Sequence, residues 1–367
     1  MGGCEARTQG ALVNVIDRRV SVRLRTPPRA AQRVPAAQLS FGTSSKTRLQ
    51  PGYTPRPVRR ALVTGGAGFI GSALVRLLAE SGYHVRVYDD LSTGRAENLR
   101  GTEAELVRGD VRDVEALGRA ASGCEVVFHL AAGTGVVPSI EDPFADFDLN
   151  AGGTLSALWA AHKAGSARVV FSSSNAPLGA GAYPASEDKP TAPLSPYGAS
   201  KAAGEAYCSA FHGAYGLEAV TVRFSNAYGP RSAHKGNVIP LFIRRLLADE
   251  ELVVYGDGSQ TRDFVFVTDL AEGLLRAAKT ADLGGEVFQL ASGVETSVNA
   301  LLALLADLSG RTPKIRHEPP RPGEILRNYS LVDKARERLG YEPAVRLEDG
   351  LRVTYEWFTS APATVAL

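Results

Sequence analysis

Ala61-Leu62-Val63-Thr64-Gly65-Gly66-Ala67-Gly68-Phe69-Ile70-Gly71 sets a short apolar run directly against a glycine turn. The run suits a buried parallel strand. The glycines Gly65, Gly68 and Gly71 fall at three-residue spacing, and Ala73, Leu74, Leu77 and Leu78 then recur at helical spacing until Gly82 offers a stop. A second strand follows over His84–Tyr88 and ends on Asp89-Asp90. Strand, tight turn, helix and a carboxylate about 20 residues on form the order a dinucleotide site requires. The helix N-terminus then faces a pyrophosphate, and the carboxylate receives the ribose hydroxyls. Asp89 would repel a 2′-phosphate, so NAD is expected rather than NADP, although Arg95 lies close by.

Working outward, strand signals at Leu106–Arg108, Glu125–Leu130, Arg168–Phe171 and Ala219–Arg223 alternate with helical stretches. That alternation predicts an α/β fold, a Rossmann-type doubly wound parallel sheet with a smaller α/β C-terminal substrate domain. The expected division is a basic, disordered extension over 1–59, an NAD-binding domain with the catalytic residues over 60–235, and a mainly substrate-binding part over 236–367, interleaved with the first.

The 367 residues carry a formal net charge of +2, which hides two unlike parts. Residues 1–60 hold 12 Lys and Arg against Glu5 and Asp17, a net of +10, and the remainder nets −8. The arm is rich in Arg, Pro and Ser, with little apolar periodicity, so it cannot offset its ordering entropy by burial. It reads as an inert extension, an organelle-targeting segment, or an anion-binding tail. A cytoplasmic location is expected, with targeting left open by this arm. No run approaches 18 apolar residues, which excludes a membrane-spanning helix, and no nucleic-acid partner is expected. Cys4, Cys124 and Cys208 are far apart, and the six histidines show no metal-ligand spacing, so neither a disulfide framework nor a metal is expected.

Two residue groups carry chemistry. Ser172-Ser173-Ser174 follows the fifth strand, at the carboxyl end where open α/β sheets place ligands. Tyr197 and Lys201 then share one face of a helix opened by Ser195-Pro196, the one Tyr/Lys pair at this spacing in the chain. A free phenol titrates near pH 10 and is a poor base, but an adjacent ammonium and an oxidised nicotinamide both favour the phenolate. Such a phenolate can remove a hydroxyl proton while hydride leaves the same carbon. Ser174 would hold the reacting oxygen. A solvated helix face would produce the same Tyr/Lys spacing without any chemistry.

These residues resemble the extended short-chain dehydrogenase/reductase family, and most of all its NAD-dependent nucleotide-sugar 4-epimerases of the UDP-glucose 4-epimerase type, over about residues 60–358. The landmarks are Thr64–Gly71, Asp89–Gly94, Gly109-Asp110-Val111, His129–Ala132, Asn150 before Gly153-Thr154, Phe171–Ser174, the Tyr197 and Lys201 pair, and Arg223–Arg231. The resemblance implies catalytic roles for Ser174, Tyr197 and Lys201. It implies cofactor contacts from Gly65, Gly68, Phe69, Ile70, Gly71, Asp89, Asp110, Val111, Leu130, Ala131, Ala132, Tyr197, Lys201 and Phe224. It implies UDP-sugar contacts from Ser174, Asn226, Asn237, Val238, Arg262, Arg321 and Glu324, with the two arginines about the diphosphate. It further implies a homodimer paired through helices near 143–164 and 196–215.

Related dehydratases carry Asp-Glu directly after the catalytic hydroxyl residue, and related decarboxylases keep the Glu; here those places hold Asn175 and Ala176. Neither is an acid or base, which leaves epimerisation: hydride out, rotation of the ketone, hydride back. The chain departs from the family pattern at Thr134, Pro177-Leu178 and Phe224. Asn328 falls where side-chain size varies beside the sugar and is expected to leave room for an N-acetyl group. UDP-N-acetylglucosamine and UDP-glucuronate are therefore alternative substrates. A reductase or a catalytically idle NAD-binding regulator is the alternative of a different class.

Overall fold

The computed structural model describes residues 59–181, 183–320 and 325–360. The basic arm, Arg321 and Glu324 lie outside the described residues, all of which fall in one compact unit.

The chain opens with β1 (Arg60–Thr64), α1 (Phe69–Glu80), β2 (His84–Asp89), β3 (Glu105–Arg108), α2 (Val114–Ala121) and β4 (Val126–His129). Next come the short helices α3 (Val136–Glu141) and α4 (Pro143–Asp146), a wider π turn over Phe147–Gly152, α5 (Gly153–Ala164), β5 (Arg168–Ser174), α6 (Pro196–Tyr215) and β6 (Glu218–Phe224). The remainder runs β7 (Asn226–Tyr228), α7 (Val238–Leu247), β8 (Leu252–Tyr255), β9 (Thr261–Phe266), α8 (Val267–Lys279) and β10 (Val287–Leu290). It closes with β11 (Glu295–Ser297), α9 (Val298–Ser309), β12 (Ile315–Glu318), α10 (Asp333–Leu339) and α11 (Leu347–Ser360).

Seven strands in the order β10-β6-β5-β4-β1-β2-β3 form one sheet, every neighbouring pair parallel. Alternate strand residues point to opposite faces. Leu62, Val127, Val169 and Phe171 bury against α2, α5 and α6, while Ala61, Val63, Val87, Phe128 and Val170 bury against α1, α8 and α10. The strand order reverses between β1 and β4, and ligands of open α/β sheets bind in the crevice at that point. The expected fold class is the one observed.

Two details differ from the sequence expectation. β5 runs on through the serines to Ser174, because Ser172 to Ser174 pair with Val222 to Phe224 of β6. The expected continuous helix over 143–164 is interrupted by the π turn, in which the wider winding re-aims the side chains around Asn150. The C-terminal third builds a three-stranded sheet, β11-β9-β7, and a two-stranded one, β12-β8. These pack with α7, α9 and α11 around Phe242, Phe264, Leu301 and Phe358. The third also returns β10 and α8 to the large sheet.

Candidate active site

The crevice at the reversal point opens into a cleft of about 870 Å³. Its floor begins at the glycine turn. Gly65 has φ +67°, and a Cβ there would lie 2.7 Å from Ala131 N. At Gly71 a Cβ would lie 2.1 Å from Gly65 O. Only glycine lets β1 turn into α1 this tightly against β4, and the bare backbone can then meet a ligand closely.

Asp89 closes the same end. It is 6% exposed, and its Oδ2 and Oδ1 accept from Ala67 N–H and Leu91 N–H, each at 2.9 Å. Burial raises its pKa while those two N–H groups oppose the shift. Each oxygen keeps a lone pair for a ribose hydroxyl. Asp110 is held by Arg112, whose guanidinium lowers the carboxyl pKa.

The reaction end is built by β5 and α6. Ser195 caps the helix by accepting from Gly198 N–H at 3.1 Å, and Pro196 occupies the first turn, where its missing donor costs nothing. That start places Tyr197 in the cleft with Ser174, whose Oγ accepts from Ala176 N–H at 3.0 Å. One turn on, buried Lys201 donates from Nζ to Ser172 O at 2.9 Å. Burial lowers the Lys201 pKa to about 8, with Asp146 and Glu205 opposing the shift. Burial raises the Tyr197 pKa, the nearby Ser174 hydroxyl opposes the shift, and the Asp146 charge adds to it. The sequence expectation of a phenol lowered by its lysine is thus modified: the ammonium donates to the Ser172 carbonyl, and burial of the phenol prevails.

Beneath the serines, Glu205 accepts from Arg223 Nη2 at 2.7 Å and Nε at 2.9 Å, and from Ser173 Oγ at 2.6 Å. This ion pair is buried on both sides and fixes β5, β6 and α6 together. A second network has its proton directions determined. Thr154 Oγ1 donates to Asn150 O at 2.6 Å, so it accepts from His129 Nε2 at 3.2 Å. His129 Nδ1 therefore accepts from Thr64 Oγ1 at 2.8 Å, and Thr64 in turn accepts from Ala131 N–H. Buried His129 is neutral, its pKa pulled down to about 3 by burial and by Lys201.

Gly65, Gly68, Phe69, Ile70, Gly71, Asp89, Asp110, Val111, Leu130, Ala131, Ala132, Ser174, Tyr197, Lys201, Phe224, Asn226 and Asn237 all line the cleft. Val238 and Arg262 do not. Val238 opens α7 next to Asn237, and Arg262 Nη1 donates to Thr261 O and to Ile325 O at 2.7 and 2.9 Å. A glycine cradle that a Cβ would fill, a carboxylate with spare lone pairs and a Tyr/Lys pair fit NAD.

A family model described as the NAD-dependent epimerase/dehydratase family matches residues 61–291. A UDP-glucose 4-epimerase of Mycolicibacterium smegmatis is 42% identical over 308 residues, covering 82% of this chain and 98% of its own. The crystal structure of Thermotoga maritima UDP-glucose 4-epimerase with UDP-glucose matches at 38% identity and a TM-score of 0.78, over 82% of this chain and 98% of that one. The Thermus thermophilus UDP-glucose 4-epimerase complex with NAD matches at 36% identity and 0.77, over 83% and 100%. The chain belongs to the NAD-dependent epimerase/dehydratase family. NAD is the cofactor of this enzyme.

The epimerase/dehydratase site also contains residues that sequence reasoning did not assign. Asp146 is 9% exposed and accepts from Asn150 Nδ2 at 2.7 Å, and its charge acts on both Lys201 and Tyr197. Asn175 Nδ2 donates to Ser330 Oγ at 2.9 Å, joining the serine run to the segment carrying Asn328. Lys235 and His234, left unplaced by the sequence, line the cleft. Asn150 had one signal, its place before Gly153-Thr154; Asp146 had none.

Proposed function

We propose that the chain interconverts the C4 epimers of a UDP-sugar, of the UDP-glucose/UDP-galactose type, through a transient 4-keto sugar. The observation that carries this reading is the pairing of Ser174, Tyr197 and Lys201 at the cleft with Asn175 and Ala176 directly after Ser174. Proton and hydride transfer are provided for, and the acid or base that elimination needs is missing.

NAD held by the glycine turn and Asp89 would supply a reversible hydride acceptor for C4. Ser174 Oγ holds the C4 oxygen, and the Tyr197 phenol oxygen receives the hydroxyl proton and gives it back. Lys201 supplies the positive charge that offsets the burial of Tyr197, with the charge of the oxidised ring adding to it. The ketone turns its other face before hydride returns, so proton and hydride both balance and no cofactor is consumed. Asn226 and Asn237 line the sugar-nucleotide part of the cleft, with Arg262 beside it and Arg321 and Glu324 as further contacts.

The test is incubation without added NAD of UDP-glucose, UDP-N-acetylglucosamine and UDP-glucuronate separately. A C4-inverted product from UDP-glucose is expected. Tyr197→Phe is expected to lower turnover by about 10²–10⁴-fold; substantial residual turnover overturns its role. Release of reduced cofactor with the 4-keto sugar points to a reductase instead. α5 and α6 expose Leu155, Trp159, Tyr207 and Tyr215, beside Phe144 and Phe147. That apolar face supports pairing with a second copy, measured by sedimentation. Among the described residues, no helix is long and apolar enough to cross a membrane.

A further inference from the structure

Lys201 and Lys235 are the two Lys or Arg side chains that line the cleft among the described residues. They differ in what engages them. Lys201 is buried on α6 and donates to Ser172 O at the reaction end. Lys235 is half-buried just before α7, and its Nζ lies 3.2 Å from Thr134 Oγ1, on the loop after β4.

An ammonium can only donate, so Thr134 Oγ1 must accept, which leaves the Thr134 hydroxyl proton as a further donor. The pair offers the remaining ammonium N–H groups and the hydroxyl proton as donors. Burial lowers the Lys235 pKa, and no carboxylate opposes that shift. The charge of Lys235 also pushes down the pKa of Lys201 and of His234. His234, pulled down to about 4, first by burial, adds no positive charge at neutral pH. Two like charges facing one partly desolvated space, one of them without a counter-ion, are unfavourable until an anion enters. Asp89 and Asp110, which line the same cleft, are occupied by backbone N–H groups and by Arg112.

We propose that Lys235 and Thr134 together form the donor pair for a diphosphate oxyanion of a ligand bound in this cleft. The proposal rests on the reading that the cleft takes NAD and a UDP-sugar, both of which carry that group. A lysine suits it as a compact charge on a flexible stem, and the two donors come from loops 101 residues apart in sequence.

The test uses the NAD-loaded enzyme and its Lys235→Ala and Lys235→Arg variants, with UDP, UDP-glucuronate and uridine as calorimetric probes and NAD retention measured after gel filtration. Lys235→Ala is expected to weaken UDP roughly tenfold, as befits a lost charge-assisted hydrogen bond. Lys235→Arg should recover most of that loss, and uridine binding should not change. If Lys235→Ala sheds NAD while UDP binding holds, the oxyanion is that of the cofactor, and the donor-pair assignment stands. Unchanged UDP binding and NAD retention overturn the proposal, as does a loss confined to UDP-glucuronate, which would assign the charge to a sugar carboxylate. Because these are binding readouts, they stand if the wild-type protein epimerises no UDP-sugar; in that event the proposed function fails and Lys235 is still tested.

Discussion

The floor beneath the serines of β5 and the small C-terminal sheets handle charge in opposite ways. Under the serines at the end of β5, the Arg223–Glu205 pair has side chains only 4% and 7% exposed, and both carboxylate oxygens are occupied. Around β8, β9, β11 and β12 the ion pairs stand in solvent: Lys314–Asp249, Arg316–Glu251 and Arg327–Glu295, with side-chain exposures of 22–76%. A buried charge is expensive unless every partner is in place, so it fixes one arrangement; an exposed pair contributes little and tolerates change. The rigid charges sit where hydride and proton must be positioned. The compliant ones sit in the half proposed to meet the sugar nucleotide.

Removing one partner of the buried pair should have the largest effect. Glu205→Ala leaves Arg223 uncompensated among β5, β6 and α6 and takes the acceptor from Ser173, so a loss of about 3–5 kcal/mol is expected. Urea unfolding measures it, and a loss no larger than that of an exposed pair would erase the contrast between the two halves. Next is Gly71→Ala, whose Cβ would lie 2.1 Å from a backbone oxygen that cannot swing aside. About 3 kcal/mol and loss of retained NAD are expected together; NAD retained at wild-type level would show that the turn can relax.

Gly71 stands on a feature legible in the sequence, as do Asp89 and the Tyr197/Lys201 pair, because these are local patterns with a fixed geometric meaning; the Glu205 pair does not. What escaped is what folding brings together across the chain. Asn175 meets Ser330 from 155 residues away, and Lys235 meets Thr134 from 101. No periodicity encodes such contacts. Asp146 was hidden differently: it lies in a stretch that reads as plain helix, and the π turn that follows at 147–152 brings Asn150 onto its carboxylate. Ser172 to Ser174 read as following the fifth strand, because serines favour turns, yet seven-residue pairing with β6 holds them in the sheet. Tertiary pairing overrode local preference there, as it does for other strands.

The His129 network turns the comparison into a pH dependence. Burial brings the imidazole from 6.5 to about 3 in the folded chain, with Lys201 adding to the shift. As pH falls below 6.5 the unfolded chain takes up this proton and the folded chain does not, so stability is lost progressively down to about pH 3. Two pH units below 6.5 the loss amounts to about 2–3 kcal/mol. His129→Gln should lack that component, so the difference between wild type and variant narrows on going from pH 7 to 4.5. Parallel pH curves would mean that the imidazole is reached by solvent and that this half is less tightly closed than the hydrogen bonds imply.

The smallest effect is expected in the other half. Arg327 makes two hydrogen bonds of 2.7 Å to Glu295, and the guanidinium holds the Glu295 carboxyl down to about 2. On geometry alone this pair rivals Arg223–Glu205. The Arg327 side chain is 56% exposed, however, and water and salt replace most of what its partner provides. Glu295 also keeps Thr261 Oγ1 as a donor at 2.6 Å after Arg327 is gone. Arg327→Ala should therefore scarcely move the unfolding midpoint, and added salt should move wild type and variant alike. A loss comparable to that of Glu205→Ala would show that exposure does not separate the two halves and that bidentate geometry by itself sets the strength of these pairs.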